Sequence, residues 1–71
     1  MTLHWTRGAY GCWHARAWGC GLHILQLAPE RWSWLVEVDG YVVSKGVASS
    51  FGAATERVAS ACVIVTDAIA A

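Results

Sequence analysis

Trp32, Trp34, Val36 and Val38 recur at every second position, and a second β-prone run, Tyr41 to Val43, follows an Asp39-Gly40 pair. Alternation of this kind is the signature of a strand with one buried face. Asp-Gly between two such runs predicts a two-residue hairpin, because both turn positions need positive φ. Simple pairing across that turn sets Val38 opposite Tyr41, Val36 opposite Val43, Trp34 opposite Lys45 and Trp32 opposite Val47. Apart from Lys45 that face is apolar, and it is expected to pack on the core. Ser33, Leu35, Glu37, Val42 and Ser44 form the half-polar opposite face.

After the hairpin the period changes. Ser49 and Ser50 offer helix N-caps, and the chain beyond them is rich in alanine, a strong helix former. Phe51, Ala54, Val58, Ala61, Cys62, Val65 and Ile69 follow at spacings of mostly three and four, one helical stripe. Glu56, Ser60 and Asp67 fall on the far side, with Val63 among them. A helix over about residues 50–70 is therefore expected to lay its stripe on the sheet.

The front half reads as further strands. Leu22 to Leu27 forms one, closed by Ala28-Pro29-Glu30, since proline lacks the ladder donor. Cys12 to Trp18 forms another, turning back at Gly19-Cys20-Gly21. Leu3 to Arg7 is a short edge strand broken by Gly8 and Gly11. The expected fold class is α+β: one domain over 1–71, an antiparallel β-meander of three to five strands within about 3–47, packed against one C-terminal helix.

Composition adds a surplus. The chain has 71 residues, 56% of them apolar and 14% charged, with formal net charge zero. So short a chain cannot hide that much apolar surface. An exposed patch marks a partner site, and a two-fold homodimer is the expected association. The longest uncharged run with helical potential, Val58 to Thr66, is well short of the roughly 20 apolar residues of a membrane span. No secretory signal is read at the N-terminus. Three cysteines, an odd number, suit free thiols in a reducing compartment, so a cytoplasmic location is expected.

Charge is unevenly spread. No carboxylate side chain occurs before Pro29, while Arg7, Arg16, three histidines, three tryptophans and Tyr10 all do. Tryptophan, tyrosine and arginine supply most binding energy at interfaces. Trp5, Arg7, Tyr10, Arg16 and Trp18 are therefore the expected partner-binding residues. The same residues could stack bases and meet phosphates of single-stranded nucleic acid. Two permanent cations are few for that use, which favours a protein partner.

Two chemical constellations occur in the chain. Cys12-x-His14 followed by Cys20-x-x-His23 supplies four zinc-type ligands. Its first gap of one residue is shorter than the two to four of a finger, so neither metal nor other cofactor is expected. Cys12 or Cys20, His14 or His23, and Asp39 supply the residue types of a catalytic triad. No nucleophile elbow, paired carboxylates or phosphate loop accompany them, so no enzyme is expected.

The stretch from Trp34 through Asp39-Gly40 and Gly46-Val-Ala-Ser49 to the alanine-rich segment ending at Ala59 resembles short phage and prophage sheet-plus-helix proteins, a class that includes several anti-CRISPR inhibitors. More loosely it resembles small bacterial domains of the YegP type. The likeness covers about residues 32–61 and lies at the level of fold. It implies a protein that binds and blocks a host defence complex by covering a surface, in the host cytoplasm.

Overall fold

The structure, a computed structural model, describes residues 3–70. The side chains of residues 69 and 70, and with them the Ile69 position of the expected stripe, lie outside the described residues. Five strands, β1 (Thr6–Arg7), β2 (Cys12–Ala17), β3 (Cys20–Ala28), β4 (Arg31–Val38) and β5 (Tyr41–Ala48), with a single 3-10 turn over Ala9–Gly11 between β1 and β2, precede one α-helix, α1 (Phe51–Ala70). Each strand pairs antiparallel with the next, in the order β1-β2-β3-β4-β5. This is the expected α+β meander with its helix, at the upper end of the strand count.

Turn chemistry explains the meander. Asp39 and Gly40 have φ of 53° and 83°, the double left-handed pair of a tight hairpin. Trp18 and Gly19 repeat it with 51° and 77°. That turn sits one residue earlier than expected, because Gly19 provides the second left-handed position. Cys20 and Gly21 are thereby released to pair with Ala17 and Arg16. At the front, β1 is shorter than the expected Leu3–Arg7 edge strand. Leu3 and Trp5 lie outside the ladder and pack against the core's margin.

The β4–β5 register differs from simple hairpin pairing. Val38 faces Tyr41 as expected, but Glu37 pairs with Val42 and Val36 with Ser44. Val43 is the extra residue of a β-bulge, and beyond it Trp34 faces Gly46 and Trp32 faces Ala48. The bulge turns Val43, Lys45 and Val47 away and sends Ser44, Gly46 and Ala48 beneath the helix. Two physical reasons favour it. Lys45 keeps its charge in water, and the Trp34 indole gains space. A Cβ on Gly46 would lie 2.6 Å from Cζ2 and 2.8 Å from Cε2 of Trp34.

The core lies between helix and sheet. Ala15, Cys20, Leu22, Ile24, Trp34 and Val36 meet Ala54, Val58 and Cys62 there. Phe51, at the helix start, is ringed by Trp5, Trp13 and Trp32 at centroid distances of 6.1, 5.3 and 5.5 Å. Ser50 caps the helix, its Oγ accepting from the Ala53 N–H at 3.0 Å. Among the described residues no helix is long and apolar enough to cross a membrane.

The bulged register yields a direct test. Gly46→Val forces a branched side chain into the Trp34 ring and should cost about 1–3 kcal/mol. For a domain this small that lowers the melting temperature by about 4–8 °C per kcal/mol. Lys45→Val should change stability by no more than about 0.5 kcal/mol, as an exposed site does. The reverse ranking in thermal melts would restore the unbulged pairing. Val58→Asp buries a charge in the centre of the core and should abolish the cooperative transition.

Candidate functional site

The helix covers one face of the sheet, and among the described residues nothing covers the other. Strand alternation sends Cys12, His14 and Arg16 of β2 to that open face. Their partners across the ladder, Leu25, His23 and Gly21 of β3, go with them. On β4 the same face carries Ser33, Leu35 and Glu37, which pair with Leu25, His23 and Gly21. Glu37 is thus the diagonal neighbour of His23, within reach of a long side chain.

The side chains close this diagonal. Glu37 Oε1 lies 2.6 Å from His23 Nε2, and His23 Nδ1 lies 2.6 Å from His14 Nδ1. The imidazoles meet edge to face, 4.8 Å between centroids. With Nε2–H donating to the Glu37 carboxylate, a neutral His23 presents a lone pair at Nδ1 to His14. Cys12 joins the group: its sulfur and one nitrogen of each histidine all lie within 4.8 Å of one another. All three residues are half-buried.

Two glycines make room. A Cβ on Gly21 would fall 2.7 Å from Glu37 Oε1 and 2.8 Å from its Cγ. A Cβ on Gly8 would fall 2.8 Å from both Cδ2 and Nε2 of His14. Gly8 is held there by its own N–H, which donates to the Cys12 carbonyl at 2.7 Å.

Of the four ligand candidates in the sequence, Cys12, His14 and His23 are brought together and Cys20 is not. Opposite Ala17, Cys20 points into the core, with its sulfur 3.8 Å from the Trp18 carbonyl and 4.0 Å from Thr66 Oγ1. Cys62 is buried beside it, and burial, reinforced by the Cys20 thiol, pushes the Cys62 thiol up to about 11. The carboxylate that reaches a histidine is Glu37, whereas Asp39 forms the exposed β4–β5 turn. Alternation along β4 puts Glu37 on the half-polar hairpin face. Carrying the register on across β3 would have linked it to His23, but that register shifts near Leu27.

The expected partner-binding residues are spread over both sides of the sheet. Arg7 and Tyr10 line a groove of about 340 Å³ with Trp13, Gln26 and Trp32. Trp5 and Trp18 flank a second, of about 440 Å³, between Leu3, Phe51 and Ala59. Trp5 is half-buried against Phe51, while Trp18 is exposed at its turn. Arg16 stands apart on the open face, opposite Gly21.

Comparison with family models, curated proteins and solved structures finds no match to the chain.

The thiols give the test of this geometry. At neutral pH iodoacetamide should modify Cys12 first, with Cys20 and Cys62 protected until the protein unfolds. Mass mapping that finds Cys20 modified as fast as Cys12 would contradict its placement. Alkali adds a second reading. The unfolded Cys62 thiol ionises near its ordinary 9.0, before the folded one at about 11. Stability is therefore unaffected by this group below pH 9 and falls as pH rises from 9 to 11. Cys62→Ala should flatten that part of the melting-temperature profile.

Proposed function

We propose that this protein is a small non-enzymatic protein-binding module that acts by occupying a partner's surface. The observation carrying this reading is the composition of the uncovered sheet face. Leu25 and Leu27 of β3 and Val42 and Val47 of β5 stand exposed, Leu27 at 55% and Val47 at 52%. An antiparallel sheet with one wet face ordinarily alternates apolar-in with polar-out. Here the outward positions at one end of β3 and along β5 are apolar too, as at surfaces kept for a partner.

The turn aromatics support the same reading. Tyr10 and Trp18 adopt left-handed backbone, φ 60° and 51°, although neither is glycine, asparagine or aspartate. Each such residue costs on the order of 1–3 kcal/mol. Tyr10 is 98% exposed, so almost no packing within the chain offsets that cost there, and Trp18 leaves 47% of its surface open. Large rings with only two rotatable side-chain bonds lose little entropy on contact with a partner.

From the resemblance to phage anti-defence proteins we infer a host defence complex as the partner, blocked by coverage. In its absence a second copy takes the apolar face, giving a two-fold dimer. Affinity capture from a bacterial host lysate, with and without nuclease, tests the reading. The expected result is a retained protein that survives nuclease and is lost with Leu27→Arg. Light scattering should give a dimer at high micromolar concentration and a monomer for Val47→Lys. Nucleic acid that co-purifies, with binding that falls steeply with salt, would instead make the aromatic front a single-strand reader.

A further inference from the structure

We propose that Cys12, His14 and His23 form a mononuclear zinc site, with Glu37 orienting His23 from the outer sphere. The site lies on the uncovered sheet face and stands independently of the partner reading above.

The donors already converge. Tetrahedral zinc holds nitrogen at about 2.0–2.1 Å and sulfur at about 2.3 Å, which sets donors about 3.3–3.6 Å apart. The two Nδ1 atoms stand at 2.6 Å, and no donor is more than 4.8 Å from another. Side-chain rotations alone can cover the remaining ångström. Two imidazole nitrogens that face each other must share one proton between two lone pairs. A cation between them takes both.

Both histidines offer the same atom for a structural reason. The Nε2 of His23 is occupied by Glu37, and the Nε2 edge of His14 faces Gly8, 2.8 Å from where a Cβ would stand. Nδ1 is the nitrogen each ring turns toward the other. The Glu37–His23 pair is the carboxylate–histidine arrangement that fixes ring orientation at protein metal centres and raises ligand basicity.

The glycines argue that the cradle is built rather than incidental. Gly8 has φ −99°, open to any residue, and Gly21 lies in regular β3 ladder outside the left-handed region. Neither backbone requires glycine. A Cβ at either position would meet side-chain atoms of this cluster, the His14 ring at Gly8 and the Glu37 carboxylate arm at Gly21.

The spacing that fails as a zinc finger suits a strand. Residues i and i+2 of a strand share a face, so Cys12-x-His14 sets two donors side by side, and His23 is cross-strand partner to His14. One thiolate and two imidazoles make a borderline-soft set that favours zinc over magnesium or calcium. Three protein ligands leave the fourth position to solvent, on the open side of the sheet. Binding displaces the Cys12 thiol proton to solvent and leaves the histidines neutral.

Metal titration of the purified, reduced, full-length chain tests the site. Zinc should bind at one equivalent in calorimetry. Cobalt(II) should give a thiolate charge-transfer band and the intense visible bands of tetrahedral coordination. Cys12→Ser should abolish the charge-transfer band and weaken zinc by about a hundredfold or more, beyond what loss of an outer-sphere group costs. Glu37→Gln should weaken zinc by about 10–100-fold and keep the band. Cys20→Ser should bind as the parent does. Circular dichroism establishes that each variant is folded. His23→Gln should weaken zinc as Cys12→Ser does; should it fail to fold, the half-exposed Cys12 still decides the matter. A parent without the charge-transfer band overturns the proposal. So does undiminished zinc binding by Cys12→Ser, or a band lost in Cys20→Ser instead.

Discussion

The contact of Trp34 with Gly46 governs the arrangement of the sheet and helix. An indole is the largest side chain a strand can direct inward, and on β4 it lies over a neighbour with no side chain. A glycine inside a strand weakens that strand, and it is retained where another group approaches the backbone closely. The bulge at Val43 brings Gly46 into that position. It also places Ser44 and Ala48 beneath the helix, so a wide ring on one strand meets small residues on the next. The helix then closes on a level surface, with Ala54, Val58 and Cys62 fully buried. Interiors tolerate neither voids nor overlaps, which is why one residue of slip in β5 decides so much.

The same slip shapes the outer face. By turning Val47 outward, the bulge removes apolar surface from the core and adds it to the side that faces solvent. A short chain with 56% apolar residues has no other place for it. The open face thus divides in two. A polar corner on β2, β3 and β4 holds Cys12, His14, His23 and Glu37, and an apolar remainder extends along β3 and β5.

Much of this was legible in the chain. The Asp39-Gly40 hairpin, the Ser50 cap and the stripe from Phe51 to Val65 rest on local chemistry: turn dihedrals, a capping oxygen, a 3.6-residue period. Such features need only neighbours in sequence. The Val38–Tyr41 pair followed from the turn alone, and the pairing failed two residues further on, where the bulge intervenes. Nothing local to Val43 announces a bulge. Its cause is Trp34, nine positions earlier, which meets Gly46 only once the strands have paired.

The candidate site divides along the same line. Its two ligands on β2 share a face by alternation, and that much belongs to the sequence. The choice between Cys20 and Glu37 does not. It depends on whether the Trp18-Gly19 turn contains two residues or three, and on the register of β3 against β4. A two-residue turn makes Cys20 the partner of Ala17 and sends it inward, while the β3–β4 ladder brings Glu37 diagonally beside His23. Side chains in a sheet alternate with a period of two, so each turn length and each bulge inverts what a strand presents. The sequence by itself therefore determined the elements, their order and the helix's buried stripe. Only the tertiary structure decided which residues share the open face, because parity accumulates across every turn and bulge between them.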